Sequence, residues 1–100
     1  MSVFGSKAAS SVMRLDLPEV LDTAAAPSLA DSLRTMRGAP LELNAADVRR
    51  FGGLCAQVLL SAAKSWSADG ARLTVHNPSP ELVESLRLMG LEPNHLTAGE

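Results

Sequence analysis

Three times along this chain, apolar residues at every second position give way to apolar residues three or four apart, and this rhythm limits the fold more than any other feature. In VMRLDL, Val12, Arg14 and Asp16 take one face and Met13, Leu15 and Leu17 the other, which reads as a strand ended by Pro18. Asp22 and Thr23 then offer side-chain oxygens to the unpartnered amides of a helix running through AAAPSLADSLRTMR. Pro27 is tolerated there because it falls in the first turn. Ala26, Leu29, Leu33 and Met36 form its apolar stripe, and Gly38 closes it.

A second strand follows in PLELNA, with Leu41 and Leu43 around Glu42, and Val48 and Phe51 are the next core anchors. Helical spacing resumes after Gly52 and Gly53: Leu54, Val58, Leu59, Ala62, Ala63 and Trp66 share a broad apolar face, stopped by Asp69 and Gly70. ARLTVH reads as a third strand with Leu73 and Val75 inward. In NPSPELVESLRLMG, Ser79 is the cap, Pro80 the first helical residue, Glu81 the acid facing the positive end of the dipole and Gly90 the stop. Leu82, Leu86 and Met89 are its expected buried stripe, and a short last strand is expected around His95 and Leu96. Strands that alternate with helices need crossovers, so the predicted fold class is α/β: a small, mostly parallel or mixed sheet covered by three to four helices.

A chain of 100 residues supports one core. Residues 1–10, rich in Ser, Ala and Gly, read as a flexible leader, and residues 11–97 as the domain. No run approaches the roughly 18 apolar residues of a membrane span, so no membrane insertion is expected. The leader lacks the apolar block of a signal peptide, and one cysteine suits a reducing compartment; the expected location is the cytoplasm. Nine basic and eleven acidic residues give a net charge of -2, with Arg49-Arg50 the sole basic doublet. Aromatics are limited to Phe4, Phe51 and Trp66, too few for base stacking, so nucleic acid is an unsuitable partner.

The chemistry of catalysis is thin. His76 and His95 have no companion at metal-ligand spacing, so neither a metal nor any other cofactor is expected. Cys55 lies in the first turn of a helix, where the dipole favours a thiolate, but its neighbours Leu54 and Ala56 favour a small buried apolar residue. Gly52 and Gly53 precede a helix without a phosphate-binding motif around them, which favours a tight turn or close backbone packing. Ser79 is explained as a cap, although it and Ser61 remain available hydroxyls.

Taken together, the segments LDTAAAPSLADSL, LELNAADVRRF, FGGLCAQVLLSAAK and SPELVESLRLMGL resemble, in order and spacing, the STAS domain, the fold of anti-sigma factor antagonists and of MlaB-like proteins. The resemblance spans Val12 to Leu96. That family carries an Asp, a Ser or Thr, a variable residue and a Gly before its central helix, and phosphorylation of the hydroxyl releases the partner. Here those positions fall on Gly52, Gly53, Leu54 and Cys55, or, with the glycine matched to Gly53, on Arg50, Phe51 and Gly52 before it. Neither register holds a hydroxyl, so no phosphorylation is expected at the family position.

The resemblance implies a non-enzymatic module that binds a regulatory protein, a histidine kinase or an anti-sigma-type kinase, in bacterial signalling. Its expected partner surface is Asp22, Thr23, Arg50, Phe51, Gly52, Gly53, Leu54 and Gln57. Within the family, the best match in size and in degenerate loop is an adaptor of the chemotaxis histidine kinase that promotes response-regulator dephosphorylation. An anti-sigma factor antagonist and an MlaB-like subunit of a lipid-transport ATPase are the alternatives. The oligomeric state is not fixed by the sequence.

Overall fold

Leu41 and Leu43, 1% and 0% exposed, lie on the middle strand of a three-stranded parallel sheet, and the rest of the molecule is arranged to cover them. The structure is a computed structural model and describes residues 12–99; the expected leader lies outside the described residues. In chain order the elements are β1 (Met13–Asp16), β2 (Val20–Leu21), a 3-10 turn (Thr23–Ala25), α1 (Ala26–Thr35), β3 (Leu41–Asn44), β4 (Arg50–Phe51), α2 (Gly53–Ala68), β5 (Leu73–His76), α3 (Pro80–Leu88) and a second 3-10 turn (Pro93–Leu96).

The main sheet has the order β1-β3-β5, with Leu15 level with Leu43 and Leu43 level with Val75. Alternation sends Leu41, Leu43 and Leu73 into the core. The rows Arg14, Glu42, Thr74 and Asp16, Asn44, His76 take the opposite face. That face stays polar: Asn44 Nδ2 donates to Asp16 Oδ1 at 3.0 Å, and His76 Nε2 lies 3.9 Å from the Glu42 carboxylate. The fold is thus the predicted α/β class, with three α-helices among the described residues.

On α1 the expected Ala26, Leu29 and Leu33 are buried, but the expected cap acts one turn earlier: Asp22 Oδ1 accepts from Ala25 N at 3.1 Å and caps the 3-10 turn, while α1 itself starts from Ala25 without a side-chain cap. In α2 the buried residues are Cys55, Ala56, Leu59, Ala62, Ala63 and Trp66. Each such side chain moved out of water contributes roughly 1.5–3 kcal/mol when it is as large as leucine. Trp66 is 1% exposed and satisfies its ring N–H by donating to Ala39 O at 2.9 Å.

Four expectations are corrected. Leu54, which the spacing put on the apolar face of α2, is 49% exposed, as its place on the expected partner surface requires, because the inward face begins one residue later, at Cys55. Met89 is 38% exposed, because it is the C-cap of α3 and its backbone has left the helical path that aligns Leu82 with Leu86. The tail forms no strand at His95 and Leu96: His95 Nδ1 accepts from Glu92 N at 2.9 Å and closes a 3-10 turn begun by Pro93. The return to the sheet comes at Ala98, which forms an isolated antiparallel bridge with Leu73. Finally, β2 and β4 were not anticipated; they form a second parallel pair, Val20 with Arg50 and Leu21 with Phe51.

Ser79, 5% exposed, fixes the start of α3 to the segment that leads into β4. Its Oγ donates to Val48 O at 2.5 Å and accepts from Leu82 N at 3.1 Å. Both bonds are satisfied inside the fold, so Ser79 is structural. Ser79→Ala removes a helix cap and leaves the Val48 carbonyl without this partner, and is expected to lower unfolding free energy by about 1–3 kcal/mol in urea denaturation.

Candidate functional site

The parallel pair β2–β4 brings two helix starts side by side, since each strand hands directly on to a helical turn. After β2, Asp22 caps the Thr23–Ala25 turn with its carboxylate. After β4, Gly52 is the N-cap of α2 and has no side chain to offer. The two starts are joined through the backbone: Gly52 N donates to Leu21 O at 2.9 Å, and Cys55 Sγ donates to Asp22 O at 3.3 Å. Within α2 the first i to i−4 bond runs from Ala56 N to Gly52 O at 3.1 Å, so the amides before it have no helical partner. No acidic residue lies in this first turn.

The expected partner surface divides at this corner. Asp22, Thr23, Arg50, Gly53, Leu54 and Gln57 are exposed, and Gly52 is half-buried. Phe51 is 6% exposed, so its ring belongs to the core and gives a partner no apolar contact; it lies on the inward side of β4, next to Leu21 in register. Val20 takes the outward place: it pairs with Arg50, is 41% exposed, and adds a second exposed apolar side chain to Leu54. The sequence gives no sign of it, because a two-residue strand shows no period.

The glycine pair is also read differently in three dimensions. Gly52 has φ of −106° and ψ of 170°, an ordinary extended conformation, and an added Cβ would stand 3.7 Å from Leu21 O. A Cβ on Gly53 would meet open space. Neither the turn nor the packing demands glycine here; the effect of the pair is a helix start without side chains. Gly53→Ala is therefore expected to fold normally and to be neutral or stabilising by up to about 1 kcal/mol in chemical denaturation.

A groove of about 350 Å³ between α1 and α2 continues from Gln57, with Leu33, Val58 and Ala62 beneath and Arg34, Arg37 and Ser61 among its walls. Both arginines are engaged: Arg34 with Asp31 at 2.6 Å and Arg37 with Asp69 at 3.0 Å. Among the described residues, no three His, Cys, Asp or Glu side chains gather as a metal site.

The family model described as Mlab, STAS domain matches residues 4–97. The chain belongs to the MlaB-like STAS domain family. No curated protein and no solved structure gives a significant match. At the level of the family this STAS domain is a regulatory protein-interaction module with an anti-sigma antagonist-like fold. No helix among the described residues is long and apolar enough to cross a membrane.

Cys55 is 0% exposed, and burial first, then the charge of Asp22, push its thiol above the ordinary value of 9.0. Burial thus outweighs the favourable end of the helix dipole, and the thiol stays protonated and inert near neutrality. Iodoacetamide is expected to spare Cys55 in the native STAS domain and to label it after denaturation. Because the folded state holds this proton more tightly than the unfolded chain, the contribution is complete below pH 9.0 and is lost as pH rises beyond it. The melting temperature should fall in that alkaline range, and fall less in Cys55→Ala.

Proposed function

We propose that this STAS domain binds a bacterial regulatory kinase through the corner between β2 and α2, and that its best-fitting role is adaptor to a chemotaxis histidine kinase, promoting response-regulator dephosphorylation. The observation that carries this reading is the bare start of α2. Gly52 and Gly53 leave the first turn uncovered, and Leu54, named above for the partner surface, stands beside it 49% exposed. An exposed leucine next to an uncovered backbone lets a partner approach closely and bury apolar surface at the centre of the contact.

The same corner lacks a hydroxyl at the positions where the family carries its phosphoacceptor: Gly52, Gly53, Leu54 and Cys55 occupy the N-cap and the first turn of α2. Binding is then not released by phosphorylation at that place, which suits a constitutive adaptor. Thr23 and Asp22, on the neighbouring turn, and Arg50 and Gln57 supply a polar rim. We place the protein in the cytoplasm, with its partner.

One finding favours a second reading. The matching family model is described by the name Mlab, so a subunit supporting a lipid-transport ATPase is the alternative; an anti-sigma antagonist would use the same corner. Affinity capture from native cell extract, read by mass spectrometry, separates these by what is recovered: a chemotaxis kinase, a transporter ATPase or an anti-sigma kinase. With the captured partner purified, Leu54→Asp is expected to weaken binding by roughly 30-fold or more at unchanged circular dichroism. A folded Leu54→Asp protein that binds normally would place the contact elsewhere.

A further inference from the structure

Both α1 and α2 cross between parallel strands, so they run side by side in the same sense. The groove of about 350 Å³ between them is lined only by residues of α1, of α2 and of the turn that closes α1. On α2, Leu54, Val58, Ser61 and Ser65 fall within about 60° of one another at roughly 100° per residue, which puts the exposed Leu54 at the end of this groove. From Leu54 to Ser65 that face is about 16 Å long, some three turns of helix.

We propose that the groove receives an amphipathic helix of the bound regulatory protein, apolar where it faces the seam and acidic along its margin. This rests on the reading that the corner binds a protein, and it extends the contact from Leu54 along α2.

The chemistry of the lining selects the occupant. Its floor is apolar, with Leu33 and Ala62 buried and Val58 half-buried. Above the floor stand the guanidinium groups of Arg34 and Arg37, the Gln57 amide and the hydroxyls of Ser61 and Ser65, and no carboxylate lines the groove. Arg34 gives Asp31 only Nη1, and Arg37 gives Asp69 Nε and Nη2, so each keeps further N–H donors for a ligand. The Arg34 and Asp31 side chains are 68% and 73% exposed, where water competes with the pair and another carboxylate can replace Asp31. Donors above an apolar floor complement a helix whose apolar stripe is flanked by Asp or Glu. Residues 1–11 hold Lys7 and no carboxylate, so the chain's own start does not match this lining.

The test is photo-cross-linking of the full chain with p-benzoylphenylalanine in place of Ser61, irradiated in the native cells, with the captured peptide sequenced by mass spectrometry. The expected peptide comes from another protein and sets apolar residues three or four apart beside Asp or Glu. Capture of residues 1–11, of a second copy or of a peptide without carboxylates overturns the proposal, and so does the absence of any cross-link. Binding to the protein so identified then reads the sign of the charge. Ser61→Glu is expected to raise the dissociation constant roughly tenfold at unchanged circular dichroism, and Ser61→Lys to leave it equal or lower. Equal weakening by both overturns the acidic occupant. If Leu54→Asp weakens partner binding while position 61 captures nothing, the corner stands and the groove fails. Capture of an acidic helix from a protein that binds Leu54→Asp normally keeps the groove and sets the corner aside.

Discussion

Both neighbours of β3 run parallel to it, and a parallel pair cannot be closed by a tight turn. Every connection must therefore leave the sheet and come back over it, and the crossovers α1 and α2 bring their apolar stripes onto Leu41, Leu43 and Leu73. From that constraint follow the position of Trp66, which spans from α2 to the carbonyl of Ala39 just before β3, and the polar character of the opposite sheet face. The core is almost entirely aliphatic, so shape is set by which leucines align and not by aromatic stacking.

The same crossover geometry produces the corner. After β1 the chain makes two further residues of strand before turning into α1, and after β3 it makes two more before α2. These pieces find each other as β2 and β4, so two helix starts emerge together from one short parallel pair. One start is capped by the Asp22 carboxylate and the other is left bare by Gly52. That asymmetry leaves the start of α2 exposed while the thiol nearest to it is buried in the core and held protonated.

Much of the fold was legible because the punctuation is local. Ser79, Pro80 and Gly90 mark α3 by chemistry that acts within one turn, and they do so in the structure: Ser79 caps, Pro80 begins the helix and Gly90 adopts φ of +78°. What was not legible depends on partners far along the chain. Two-residue strands have no period to detect, so β2 and β4 exist only because Leu21 and Phe51 meet. The tail was misread for a related reason: His95 and Leu96 look extended in sequence, but the proline before them and the Glu92–His95 bond favour a turn.

The candidate site shows how small a shift separates core from surface. A helix rotates about 100° per residue, so moving its buried arc by one position exchanges Leu54 for Cys55. Hydrophobicity alone cannot make that choice, because leucine is the more apolar of the two. The choice is made by β4: pairing with β2 turns Phe51 inward beside Leu21, and the chain entering α2 from there carries Cys55 toward the carbonyl of Asp22. Leucine is left outside by the register of a strand two residues long. An apolar side chain in that position, next to backbone without side chains, is the exposure on which the proposed contact at this corner rests.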